Sequence, residues 1–150
     1  MTPQRDVRWQ TIRRILWALE DHFGRGVEVV SDVRIDFPGE SNGFCPDIAM
    51  LADNAKKEKG RRRHQDIRFA AEVISKGTGM NDYGAKKWAY AAAEVTVCFI
   101  ADPYAGRCRV FTHPQDGAYK RDLTDTYGEP VDLTDTVLGT TLPTDEFPRD

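Results

Sequence analysis

Apolar residues recur at Ile12, Ile15, Leu16, Leu19 and Phe23, a spacing of i, i+3, i+4, i+7 and i+11 that puts them on one stripe of an amphipathic helix. Gly24 and Gly26 end it. The pattern then changes period. Val27 to Phe37 is rich in Val and Ile and predicts a strand, closed by a Pro38-Gly39 turn. Phe44 to Leu51 predicts a second strand and Ile67 to Ile74 a third, flanked by Gly77 and Gly79. Between them, residues 54–65 form a polar loop dense in Lys and Arg. A helix capped by Asn81 or Asp82 is expected to run to about Ala93. Val95 to Ala101 is almost wholly apolar, the pattern of a strand buried on both faces. Arg107 to Thr112 follows as a fifth strand, and Tyr119 to Tyr127 as an edge strand. Helix, three strands, helix and two strands predict an α/β fold, a mixed β-sheet flanked by helices. The helical crossover between the third and fourth strands favours parallel pairing there, and the hairpin spacings nearer the N-terminus favour antiparallel pairing.

Composition changes this picture in two places. The net charge of -3 hides an asymmetry: residues 122–150 hold eight acids and one base, leaving 20 bases against 16 acids, or +4, in the rest. The expected division is a domain over 1–128 and an acidic tail over 129–150 that is surface-bound or partly disordered, with Pro130, Pro143 and Pro148 among its Asp and Thr. A mildly basic body permits nucleic-acid binding without demanding it. No apolar stretch approaches the roughly 20 residues of a membrane span. Arg5, Arg8, Arg13 and Arg14 surround a helical pattern with no apolar leader core, so neither a membrane nor secretion is expected. Cys45, Cys98 and Cys108 are odd in number and lack metal-ligand spacing, as reduced residues of a cytoplasmic protein would be.

The candidate chemistry lies in two apolar runs, each broken by one carboxylate: Cys45-Pro46-Asp47-Ile48-Ala49-Met50-Leu51 and Phe69-Ala70-Ala71-Glu72-Val73-Ile74-Ser75. A carboxylate inside an apolar run is costly unless paired, hydrogen-bonded or bound to a metal. Two carboxylates on neighbouring strands suit Mg²⁺, with Mn²⁺ as a substitute, since such an ion is commonly held by one or two carboxylates plus phosphate and water. Lys86 adds a cation, and Asp82, Lys86 and Tyr90 at i, i+4 and i+8 share one face of the second helix. Asp47, Glu72 and Lys86 are therefore the catalytic candidates, with Asp82 and Tyr90 as accessory ones.

The combination of Pro46-Asp47, Glu72-Val73-Ile74-Ser75, Asp82-x3-Lys86-x3-Tyr90, an apolar strand and Asp102-Pro103 resembles the Uma-type putative restriction endonucleases of bacteria, within the PD-(D/E)xK nuclease superfamily. The resemblance covers roughly Val27 to Tyr119. It implies a restriction-endonuclease-like fold and Mg²⁺-dependent hydrolysis of phosphodiester bonds in DNA. Asp47 and Glu72 match the metal-binding acids, and the backbone carbonyl of Val73 the third protein ligand. It also implies a homodimer, since one site cuts one strand. Two departures stand out. The superfamily lysine two residues after the acid is replaced by Ile74, and the Uma-type pattern moves that lysine to the next helix, where Lys86 stands. No histidine opens the first helix; His22 lies near its end.

Each residue also has a plainer reading. Asp47 suits a strand end, Asp82 a helix cap, and Asp102-Pro103 a turn. An exposed Asp82–Lys86 pair contributes only a few tenths of a kcal/mol. Ser75 has no base at a recognisable spacing to make it a nucleophile. The cluster around Lys59, Arg61, Arg62 and Arg63 is either a solvated loop or a hairpin overhanging the sheet, where its cations would meet phosphates. The loss of the motif lysine keeps open a nuclease-fold protein that does not cut and acts as a nucleic-acid-binding or protein-interaction module.

Overall fold

The computed structural model describes residues 3–37, 43–75 and 80–150, without the side chains of residues 3–5 and 80–83. The first amphipathic stripe forms α1 (Pro3–Phe23), with Ile12, Ile15 and Leu19 buried. Gly24, at φ +90°, ends the helix, its N–H donating to the Glu20 carbonyl at 2.7 Å. Next in chain order come β1 (Val29–Val30), β2 (Ile35–Asp36), β3 (Ile48–Leu51), β4 (Lys57–Glu58), β5 (Arg61–Arg63) and β6 (Ile67–Val73). Helix α2 (Met80–Ala92), β7 (Val97–Asp102), β8 (Arg107–Gln115), β9 (Ala118–Thr126), β10 (Val131–Leu133) and β11 (Thr140–Leu142) complete the order.

The main sheet runs β1-β3-β6-β7-β8-β9. The β6–β7 pair, joined through α2, is parallel, and the other pairs are antiparallel. The sheet is mixed, as its connections predict. Alternation along the central strands supplies two apolar faces. Ile48, Met50, Phe69, Ala71, Val97 and Phe99 belong to the core shared with α1. Ala49, Leu51, Ala70, Ile74, Cys98 and Ile100 pack with Ala89 and Tyr90 of α2. Glu72 falls between Ala70 and Ile74 on the α2 face, which is what gives it chemical interest.

Several expected elements differ from those observed. Val27 to Phe37 is two short strands rather than one: Ser31 and Asp32 form a bend, with Asp32 at φ +58°. Val29–Val30 enters the main sheet, while Ile35–Asp36 pairs in parallel with β5 in a separate three-stranded sheet. The second strand is shorter than expected, since only Ile48–Leu51 joins the ladder and Phe44 makes an isolated bridge to Ile35. Of the two readings of the basic cluster, loop or hairpin, residues 57–63 adopt the hairpin. Lys59 (φ +52°) and Gly60 (φ +77°) supply the two left-handed residues that such a tight turn needs. Helix α2 begins at Met80, so Asn81 and Asp82 lie within its first turn rather than ahead of it. The Pro38-Gly39 turn and the flanking Gly77 and Gly79 lie outside the described residues.

Beyond Gly128 the chain forms an antiparallel hairpin, β10 with β11. Val131, Leu133, Leu138, Leu142 and Phe147 are buried in the α1-side core. Thr144, 1% exposed, joins the two ends of this segment: its hydroxyl accepts the Gly128 N–H at 2.9 Å and donates to the Glu129 carbonyl at 2.8 Å. Thr144→Val keeps the shape and orphans both backbone groups, so urea unfolding should register a loss of about 2 kcal/mol.

Candidate metal and phosphodiester site

The β3–β6 ladder ends with Ile48 opposite Ala71, so the next residues along the two strands are Asp47 and Glu72. Where the backbone ladder stops, the Asp47 side chain continues it, its Oδ2 accepting the Val73 N–H at 2.8 Å. The bend before β2 is tied to the same point. The Asp32 N–H donates to the Pro46 carbonyl at 2.9 Å, and the Ser31 hydroxyl donates to the Asp47 carbonyl at 2.6 Å. Asp47 is thereby held at 5% exposure. Its other oxygen, Oδ1, accepts a hydrogen bond from the Arg8 guanidinium, which reaches across from α1.

Glu72 is 2% exposed. The Tyr90 hydroxyl donates to Glu72 Oε1 at 2.7 Å, and Lys86 Nζ lies 3.4 Å from the same oxygen. Lys86 and Tyr90 are one turn apart on α2, the spacing that lets both reach one carboxylate. Burial pushes the Glu72 carboxyl up to about 7; the Lys86 and Tyr90 contacts pull against that rise, and the Asp47 charge adds to it. Burial and the neighbouring Glu72 charge together hold the Tyr90 phenol well above its ordinary range, so it serves as a donor. For Arg8, burial weakens the guanidinium's hold on its proton, but the bond to Asp47 and the charges of Asp47, Asp32 and Glu72 outweigh that and raise it.

The structure thus brings together Asp47, Glu72, Val73, Lys86 and Tyr90. The N–H and C=O of one strand residue point to the same side, so the Val73 carbonyl faces the side from which its N–H meets Asp47. Two carboxylates and a carbonyl are hard oxygen donors of the kind Mg²⁺ or Mn²⁺ takes. Arg8 and Lys86 already bring two positive charges to these two carboxylates, the charge a divalent ion would supply. Among the described residues no three His, Cys, Asp or Glu side chains cluster as a metal set. Ile74, at the superfamily's lysine position, is buried on the α2 face. Asp82 lies in the first turn of α2, and its side chain is outside the described residues.

The basic hairpin is engaged elsewhere. Arg61 pairs with Asp36 at 2.7 Å, Arg62 with Glu28, and Arg63 with Asp66 at 3.2 Å. Lys59 is exposed at the turn. None of these four cations contacts Asp47 or Glu72. Arg8 and Ser31 are site residues that sequence reasoning missed. A signal for Arg8 was present, since it stands one turn before Ile12 on the buried stripe of α1, where a base is out of place.

A family model described as Uma2, putative restriction endonuclease, matches residues 1–145. No curated protein matches the chain. Among solved structures, the crystal structure of a putative nuclease belonging to DUF820 from Anabaena variabilis superposes with a TM-score of 0.69 at 12% identity. The match covers 98% of this chain and 80% of that one. At that identity the likeness is one of fold, and it extends over nearly the whole α/β architecture. The cryoEM structure of a DrdV–DNA complex gives a TM-score of 0.40 at 13% identity, over 79% of this chain and 12% of that one.

Proposed function

This chain belongs to the Uma2 family of putative restriction endonucleases, and on that premise we propose that it is a divalent-metal-dependent endonuclease hydrolysing phosphodiester bonds in DNA. The observation that carries the proposal is the convergence of Asp47 and Glu72, both buried, with Lys86 on one of them. Asp47, Glu72 and the Val73 carbonyl would hold Mg²⁺ or Mn²⁺. Such an ion would supply a water of lowered pKa and offset charge on the attacked phosphate.

The remaining roles belong to the chain itself. Tyr90 fixes Glu72 Oε1 in one orientation through its 2.7 Å hydrogen bond. The Val73 N–H does the same for Asp47, so both carboxylates are preorganised before any ligand arrives. Lys86, about a quarter exposed, is open enough to face a substrate and neutralise charge developing on it. The free Cys98 and Cys108 thiols are pushed up by burial and so are not competing nucleophiles. Three cysteines without a disulfide among them support a reducing, cytoplasmic setting. No helix among the described residues is long and apolar enough to cross a membrane. A homodimer belongs to the same proposal, because one such site cuts one strand; light scattering on the pure protein tests it.

The deciding experiment is a thermal melt of wild type and Asp47→Asn, with Mg²⁺ or Mn²⁺ titrated against EDTA. Wild type should gain about 2.7 kcal/mol at a hundredfold excess over Kd, and the variant none. No gain in either protein overturns the metal site. A second reading, a nuclease-fold protein that binds nucleic acid without cutting, draws on Ile74 at the usual lysine position. Metal-dependent stabilisation with intact plasmid DNA favours it.

The basic hairpin remains the candidate phosphate contact away from the reacting bond. Replacing Arg61, Arg62 and Arg63 with Ala should flatten the salt dependence of duplex binding by up to about 2.7 in log K against log salt. An unchanged slope assigns these arginines to their acidic neighbours Asp36, Glu28 and Asp66.

A further inference from the structure

Arg8 stands on the stripe of α1 that otherwise buries Ile12, Ile15 and Leu19, and its side chain is 42% exposed while it grips a carboxylate 7% exposed. The two oxygens of Asp47 are held differently. Oδ2 is tied to the Val73 backbone N–H, which cannot leave without opening the end of the ladder. Oδ1 accepts a hydrogen bond from the long, half-exposed side chain of Arg8. A cation approaching Asp47 while the fold stays intact therefore meets the positive charge of Arg8 beside Oδ1.

A guanidinium released from Asp47 stays within side-chain reach of the site, since α1 is anchored to the sheet through Ile12, Ile15 and Leu19. Its planar fork of donors matches two phosphate oxygens as well as two carboxylate oxygens, a geometry that the single ammonium of Lys86 lacks. Lys86, on the Glu72 side, and Arg8, on the Asp47 side, thus approach the carboxylate pair from two different helices.

We propose that Arg8 is a phosphate-binding residue of this site, seated on Asp47 Oδ1 in the metal-free protein with a hold that a divalent cation at Asp47 would weaken, leaving the guanidinium to meet the phosphodiester backbone of the substrate. This rests on the nuclease reading of the same carboxylates.

Calorimetric titration of Mn²⁺ alone into metal-free wild type, Arg8→Ala, Arg8→Gln and Asp47→Asn, at a pH above the Glu72 transition, tests the first half. Arg8→Ala and Arg8→Gln should bind Mn²⁺ about tenfold more tightly than wild type, because a charged competitor has been removed. The second half is read by anisotropy of a labelled duplex oligonucleotide in Ca²⁺. Both Arg8 variants should bind it about tenfold more weakly, and Arg8→Lys should recover only part of the loss because it lacks the planar fork. Unchanged Mn²⁺ affinity in both variants overturns the competition. Unchanged DNA affinity overturns the phosphate role. If wild type binds no more Mn²⁺ than Asp47→Asn, the metal-site reading fails along with this one, whereas metal binding that Arg8 does not influence sinks this one alone. Arg8→Gln keeps a hydrogen-bond donor for Asp47 and guards against an Arg8→Ala protein that does not fold.

Discussion

Lys86→Ala should lower metal-dependent DNA hydrolysis by roughly 10²- to 10³-fold, the loss that follows removal of one preorganised group at a developing charge. The fold should survive, because Lys86 is partly exposed and the Tyr90 hydroxyl still donates to Glu72 Oε1. A second effect must be separated from the first. Lys86 pulls the Glu72 pKa down, so in the variant that pKa climbs beyond about 7 and metal binding moves to higher pH. Measuring cleavage against pH with metal affinity alongside distinguishes them. If cleavage recovers fully once the pH is high enough to restore metal binding, Lys86 does no more than keep Glu72 ionised. If the rate stays low at full metal occupancy, Lys86 acts on the reacting phosphate.

Metal-free protein should lose about 3 kcal/mol of stability as pH rises from the ordinary glutamate range to above 7. The folded state binds the Glu72 proton more tightly than the unfolded chain does, its pKa being about 7 against 4.5. The associated stability is complete below 4.5 and is lost as pH rises through about 7. Burial is the main cause, and Asp47 adds to it by its negative charge. Lys86 and Tyr90 oppose the rise without cancelling it. Urea unfolding in EDTA across this range measures the slope, and Glu72→Gln should remove most of it. The same slope persisting in Glu72→Gln would assign the titration to another group. Saturating Mg²⁺ should flatten the wild-type loss, since the ion stabilises the ionised carboxylate.

Both expectations depend on residues that local pattern exposes well. Two acids inside apolar runs stand out because alternation leaves them no solvent-facing position. Lys86 and Tyr90 stand out because helical spacing puts them on one face. The parallel β6–β7 pair was legible from the intervening helix, and the edge strand β9 from its mixed polarity. Other features were not legible. Nothing in Val27 to Phe37 announces that Asp32 adopts φ +58° and sends the two halves to different sheets. Apolar residues are sparse beyond Gly128, yet Val131, Leu133, Leu138, Leu142 and Phe147 enter the core, because a hairpin gathers positions that look isolated in sequence. Arg61, Arg62 and Arg63 read as a free basic run; Asp36 and Glu28 come into reach of the first two only through the small sheet and its neighbours, whereas Arg63 meets Asp66 three residues along the chain.

Apolar periodicity and the acids that interrupt it are local properties of the chain, and they suffice for a mixed sheet between two helices with Asp47 and Glu72 at the end of its β3–β6 ladder. Which charges meet emerges on packing: Arg8 with Asp47 across 39 residues, Lys86 and Tyr90 with Glu72, and Arg61 of the basic hairpin with Asp36, away from the site. The physical reason is that burial follows local periodicity, one element at a time. An ion pair or a hydrogen bond follows distance in space, and that distance is set only when separate elements pack against one another.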